Sequence, residues 1–570
     1  MKSLKLVKFL SNWRTSDVVV TLSNYLHTLR YLKLTQLTNR VVFCLSKPRV
    51  DHTLAPALRV PYGLFTEPAR RKISLVAPQT FCFLNQTREL SDVGWNNVGV
   101  GGDELSPSKL WRYNQHYFDD LNSFNASERV SWHEALLQEW VSEPAGLGVG
   151  WDPFPTSLRI INWIKWQLSG NILSPDCIQS LAEQVRWLNH RLERHILGNH
   201  FFSNGKALVF AGFFFDGQEA EQWLNKGLTI ISTELKEQVL LDGAHFELSP
   251  MYHCIFSEDM LDLINVAQTF PHDISIEIVN GWKTKVAQMI RWTQSMTHPD
   301  GDIALFNDSA FGIACTPQQI TEYAQRLSVY TPKCSWPISF THLEDSGYIR
   351  IDDEVQALII DVAKVGPDYL PGHAHADTLS FELSLFKERV FVNGGTSEYG
   401  SGNIRQQERG TTSHNTVVVD QQNSSEVWAG FRVARRAYPV DLQIKHLDGK
   451  SIISCSHNGY ERLRKGLRHN RQWISSKNFL QINDAITGKF SEAFAYYHLS
   501  PDVLITSMKS STVSLMTKKE KTILLDLFGT SFEVLDGFYS PEFGKRIPNK
   551  CLKVKLEKQK GASLRISWDQ

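Results

Sequence analysis

Two hydrophobic periodicities divide the chain. From about residue 128 to 330 apolar positions return every three or four residues, the spacing of one helix face. In "SPDCIQSLAEQVRWLNHRLERHI" they are Ile178, Leu181, Val185, Leu188 and Leu192, and Ser174-Pro175 opens the helix as a cap followed by Pro at its first position. The stretches "SWHEALLQEWV", "SLRIINWIKWQL", "NGKALVFAGFFF", "EAEQWLNKGLTIISTELKEQV" and "DISIEIVNGWKTKVAQMIRWTQSM" repeat the pattern. Successive helices with short connections pack as antiparallel neighbours, which predicts a layered helical array or toroid. Near residue 345 the period changes to two. "GYIRIDDEVQALIIDVA", "LSFELSLFKERVFVNGG", "NTVVVDQQ" and "FLQINDAITG" alternate between turn residues and are expected to be strands, the second of them a hairpin around "FKE". The chain is therefore expected to be a multidomain α+β protein. An irregular segment, 1–125, packs on an α/α toroid, 126–335, and an antiparallel β-sandwich, 336–570, follows. The boundary is placed in the Pro- and Ser-rich "YTPKCSWPISF".

Length and composition add limits. A chain of 570 residues exceeds one ordinary core, and 42% apolar with 21% charged residues marks it as globular. Sixty basic residues balance sixty acidic ones, so overall charge gives no argument for nucleic acid, and any basic cleft must be local. The 16 Trp suit sugar stacking, but large helical cores are the better account. Eight scattered Cys without a CxxC argue against a disulfide framework and for a reducing compartment. The basic N-terminus shows no cleavage site after Leu4–Leu10, and no apolar run approaches a membrane span of about 20 residues. A soluble, cytoplasmic protein is expected, with a periplasmic or secreted location as the alternative.

Three stretches hold residues that could do chemistry. In "LGNHFFSNGKALVF", Gly198 ends one helix, Asn199 is placed to cap the next and His200 falls in its first turn. In "DGAHFELSPMYHCIF", Ser249-Pro250 opens a helix with Tyr252 in its first turn, where the helix dipole would lower a phenol's pKa. In "LPGHAHADTLSFEL", His373 and His375 stand two apart at the entrance to a strand, with Asp377 as an orienter or strand-start cap. His375, Asn393 at the end of the hairpin partner and His414 before a further strand could converge, and two His with an oxygen donor suit zinc or a similar divalent ion.

Together "GNHFFSNGKALVFAGFFF", "ELSPMYHCIF", "GHAHADTLSFEL", "VFVNGGTSEYG", "SHNTVVVD" and "WDPFPTSLRIINW" resemble the heparinase II/III family of polysaccharide lyases, over roughly 100–430. The resemblance implies an N-terminal α/α toroid, a C-terminal β-sandwich and an acidic polysaccharide in the cleft between them. It implies β-elimination at a uronic acid, which needs a base, an acid and donors that stabilise an enolate-like charge. Carried over, Asn199 and Asn415 would neutralise the carboxylate, and Tyr252 would act as acid, base or both. His373 would be its partner, with His200 an alternative base. Arg405 and Arg409 would hold carboxylate or sulfate groups. His375, Asn393 and His414 match positions that hold a divalent ion, zinc or calcium, in some relatives, but Asn393 stands where an aspartate is expected.

Two other classes compete. A toroid glycoside hydrolase would use paired carboxylates from Asp242, Glu247 and Asp308. A non-catalytic or biosynthesis-associated glycan-binding protein of a surface-polysaccharide pathway would keep the fold without the chemistry.

Overall fold

The computed structural model describes residues 15–96, 107–331 and 339–569. Most of "YTPKCSWPISF" lies outside the described residues. Two helices, Thr15–Leu29 and Leu34–Leu45, and a small antiparallel sheet built from Leu75–Ala77, Thr80–Phe83 and Gln86–Glu89 precede the helical region.

The helices follow the three-four pattern closely. They include Val130–Ser142, Pro153–Leu168, Pro175–His190, Gly198–Phe214, Gln218–Gln238, Pro250–Thr269 and Ile276–Ser295. Ser174 caps its helix as expected, accepting from the Cys177 amide. The inner faces share one core, in which Trp111, Trp163, Trp166 and Trp223 are enclosed. The helices Gly198–Phe214 and Gln218–Gln238 meet so closely that a Cβ on Gly212 would lie 2.5 Å from the Leu224 amide nitrogen. That contact explains the lone Gly in "FAGFFF".

The strands after residue 339 form three larger sheets in which every ladder is antiparallel. Five strands, from Phe340–Leu343 to Glu388–Phe391, pair in sequence order. The hairpin Phe381–Leu385/Glu388–Phe391 turns on two residues, Phe386 and Lys387, both at positive φ, rather than three. An eight-stranded and a four-stranded sheet complete this half. Strand Gln356–Asp361 is buried throughout, which explains its unbroken apolar run. Leu358 and Ile360 enter the core shared with the other sheets, whereas Ile359 meets Leu248, Trp292 and Phe306 of the helical half.

Polar contacts pin the same junction. Tyr348 donates to the Leu248 carbonyl at 2.9 Å, and Arg350 reaches the carbonyls of Ser295 at 2.8 Å and Thr297 at 2.6 Å. His298 meets Glu382 at 2.9 Å, and Arg389 meets Asp300 at 2.6 Å. The two halves are thus held in register where their surfaces form a cleft.

Candidate active site

A cleft of about 870 Å³ opens between the helices, the small N-terminal sheet around Phe83 and the loops that carry His373, Tyr399 and Phe431. Asn199, His200, Tyr252 and His373 all line it. No Trp does; its aromatic walls are Phe and Tyr, including Tyr113, Phe154 and Phe431. The Trp excess belongs to the core.

Tyr252 is placed by its helix start. Ser249 accepts from the Tyr252 amide at 3.2 Å and donates to the Asp308 carbonyl at 2.6 Å. The Tyr252 ring stacks on His373 at 4.0 Å, and its hydroxyl meets the Tyr399 hydroxyl at 3.0 Å. Enclosure pushes the Tyr252 phenol up, with Asp308 and Glu247 adding to the shift and the Tyr399 bond opposing it. The lowering expected from the helix terminus is overturned, because a local dipole is weaker here than desolvation. Tyr252 enters any reaction as a neutral phenol.

His373 is held by Asp308, not by Asp377. Its Nδ1 lies 2.8 Å from Asp308 Oδ2 and its Nε2 lies 3.6 Å from Glu247 Oε2. Asp308 also receives His375 Nε2 at 2.8 Å and both terminal nitrogens of Arg405. Burial alone would raise Asp308, but Arg405, His373 and His375 together hold it well below the usual carboxylate range. An ionised carboxylate on Nδ1 fixes the imidazole tautomer and leaves Nε2 facing the cleft. Asp377 instead accepts weakly from the Asn307 amide, at 3.4 Å.

A further part of the lining begins at Leu197 and Gly198, both at positive φ. A Cβ on Gly198 would strike Leu370 at 2.3 Å, so this turn requires glycine. The helix starts at Gly198 with Leu197 in the cap position, so Asn199 is not the cap. Among the described residues its amide makes no hydrogen bond, which leaves it open to a ligand. His200 stacks on Phe154 at 4.3 Å and pairs with Glu193 at 3.0 Å. Burial lowers its pKa, but the charge and hydrogen bond of Glu193 outweigh that and raise it. Glu193 thus favours the charged form of His200. Glu247, 2% exposed, has no hydrogen-bond partner on either oxygen, and burial pushes its carboxyl up against the pull of His373 and His200.

The two halves of one family description match this chain: "Heparinase II/III N-terminus" over 164–333 and "Heparinase II/III-like, C-terminal" over 337–568. The chain belongs to the heparinase II/III family. Curated relatives of this family member include a heparin-sulfate lyase of Bacteroides stercoris, 21% identical over 455 residues, and one of Pedobacter heparinus, 26% identical over 456. The matches cover 73% and 72% of this chain and 64% of each relative, so the chain spans less than two thirds of their length. Among solved structures, a heparinase III has a TM-score of 0.63 at 17% identity, covering 83% of this chain and 79% of that one. A mutant heparan sulfate lyase from Pedobacter heparinus has a TM-score of 0.56 at 17% identity, covering 86% and 82%. At that identity they establish a shared fold.

Three carried-over roles need correction in this heparinase II/III chain. Arg405 is fully buried and engaged with Asp308 and the Gly430 carbonyl. Arg409 is fully buried on the carbonyls of Ala374 and Gly430. Asn415 donates to the carbonyls of Phe381 and Val392 and accepts from the His498 amide. None lines the cleft: Arg409 braces the histidine loop at Ala374, Arg405 acts on it through Asp308, and Asn415 ties strand ends together.

His375 and His414 do approach, with ring centroids 5.2 Å apart, and His414 Nδ1 lies 3.1 Å from Asn393 Oδ1. Three buried atoms face no partner: His375 Nδ1, His414 Nε2 and Asn393 Nδ2. With their other nitrogens hydrogen-bonded, both rings present lone pairs, while the amide presents N–H groups. An N–H pointing inward repels a cation, and two nitrogens fall short of the four ligands a structural zinc takes. Among the described residues no group of three or more His, Cys, Asp and Glu is placed to hold a metal. The donor set does not fit the expected ion. It fits a water, which gives two hydrogens to the rings and accepts one from the amide.

Residue patterns alone missed Glu193 and the roles of Asp308 and Glu247. Tyr399 stands out in "VNGGTSEYG" as a candidate, but its pairing with Tyr252 does not.

Proposed function

We propose that this chain is a polysaccharide lyase that cleaves a uronic-acid-containing glycan by β-elimination. The observation that carries the reading is the pairing of a neutral Tyr252 with an Asp308-oriented His373 in a cleft that the free amide of Asn199 also lines. His373 Nε2 takes the C5 proton. The C5–H electrons pass into the carboxylate as an enolate-like charge, where the Asn199 amide and the Glu193-paired His200 stabilise it. As those electrons return to form the C4=C5 double bond, the C4–O bond breaks. Tyr252 gives its proton to the departing oxygen; the cycle closes when the proton that His373 took returns by way of water to the Tyr252 oxygen, which the Tyr399 hydroxyl meets at 3.0 Å. The heparin-sulfate lyase names of the relatives and the acidic polysaccharide they imply support this substrate class.

The finer architecture belongs to the same proposal. The helices form an incomplete α/α toroid and the three sheets a β-sandwich, with domains at 126–335 and 336–570 and the segment 1–125 packed on the first. The hydrolase reading lacks its carboxylate pair. Asp242 is bound to Ser346 outside the cleft, Asp308 is buried behind His373, and only Glu247 of the three faces the cleft. The test is a screen of uronate polysaccharides read by ultraviolet absorbance of the unsaturated product. Reducing ends released without that absorbance would mean hydrolysis, and no cleavage of any polymer would leave a binding protein.

A further inference from the structure

The helix Leu34–Leu45 is amphipathic in the unexpected sense. Leu34, Leu37, Val41, Val42 and Leu45 recur at helical spacing, and all five are exposed, Leu34 by 74%, Val42 by 61% and Leu45 by 79%. The other face is anchored to the body. Gln36 is buried, the Phe43 ring lies 4.2 Å from His195, and Arg191 donates to the Phe43 carbonyl at 2.8 Å. The outward stripe is therefore fixed by the packing of the inner face.

The preceding helix repeats the arrangement. Leu22, Leu26 and Leu29 are exposed, Leu26 by 71%, while Tyr25 packs edge-on against Trp428 at 4.8 Å and Thr28 accepts from the Trp428 indole at 3.1 Å. Two adjacent helices thus turn apolar rows to solvent, joined by Arg30–Lys33. Exposed apolar rows of this kind mark an interaction site.

Charge selects the partner. Residues 1–50 contain nine Lys and Arg and one acidic residue, Asp17, in a chain whose total charge is zero. Arg30, Arg40, Lys47 and Arg49 are exposed beside the apolar rows. The remainder of the chain carries the compensating negative excess, and association of two copies through this face is an outcome the test below distinguishes. Apolar rows flanked by basic residues suit a surface that is apolar beneath and anionic on top, which is the headgroup layer of an anionic bilayer. No described helix is long and apolar enough to cross a membrane, so the association is peripheral.

We infer that the helices Thr15–Leu29 and Leu34–Leu45 form a docking surface for an anionic lipid membrane. Arg40 and Phe43 of the second helix also line the cleft. Docking through this helix brings the cleft mouth to the bilayer, where glycan chains tethered to lipid would present themselves.

The test is co-sedimentation of the full chain with vesicles of phosphatidylglycerol and phosphatidylethanolamine, and with neutral phosphatidylcholine vesicles. The anionic vesicles should carry the protein down and the neutral ones should not, with partition falling as salt screens the basic residues. Leu37→Gln/Val41→Gln/Leu45→Gln should reduce partition about tenfold or more. Because these side chains are exposed, the variant should keep the far-ultraviolet circular dichroism and melting temperature of the wild type. Lys47→Glu should weaken partition at low salt alone. Equal sedimentation of the triple variant and the wild type would overturn the inference. So would a dimer, seen by light scattering, that the triple variant dissolves.

Discussion

Stacked at 4.0 Å, Tyr252 and His373 shield each other from bulk water and share one face of the cleft. Replacing Tyr252 by Phe keeps the stack and removes only the proton. The Tyr252→Phe chain should fold normally and lose about 10²–10⁴-fold in turnover, measured on whichever uronate polymer the screen identifies. Normal turnover would exclude the tyrosine as acid. Glu247 separates two readings of its own charge. If it is a protonated donor, Glu247→Gln keeps most of the activity and Glu247→Ala loses about 10²-fold. If it acts as an anion on His373, the two variants fail alike. The His200–Glu193 pair sets a pH limit. Its contribution is full below His200's unfolded value of about 6.5 and is lost as pH rises through the higher folded value. Glu193→Gln removes the cause of the rise, so the alkaline limb of kcat/KM should move to lower pH, in step with an NMR titration of the His200 ring.

At the scale of elements, helix starts and strand ends do the positioning. The start at Ser249-Pro250 was legible because cap and proline are local signals, and the structure keeps both. The start at Leu197-Gly198 was misjudged by two positions, since positive φ at a leucine leaves no sequence mark. Asp308 was out of reach as an orienter. Its partners His373, His375 and Arg405 lie 65, 67 and 97 residues away, and no periodicity links such distant positions. Arg405 and Arg409 were misplaced for a related reason: composition cannot distinguish a buried guanidinium from one that waits for an anion. At the strand ends, the amide of Asn393 turns two bare imidazole nitrogens into a water site. Asn393→Asp supplies the missing negative oxygen, and protein purified without chelator should then contain close to one zinc per chain by elemental analysis. Wild-type protein already loaded to that level would refute the reading of the donor set.

Across the whole molecule, Asp308 ties the helical half to the sheet half, because it lies in the loop after Ile276–Ser295 while the side chains it holds follow the strands. Asp308→Asn leaves the buried Arg405 without its counter-charge. The loss should be about 3–5 kcal/mol, read from denaturant unfolding, and larger than that of Asp377→Asn.

The cleft is also a boundary with a donor on each bank. Tyr252 comes from a helix, and His373 and Tyr399 come from the loops around the sheet. Under the proposed mechanism, the acid comes from one bank and the base from the other. Turnover is therefore a gauge of docking between the halves, and a small separation that leaves both folded would silence the chemistry. Heat should switch this protein off before it melts.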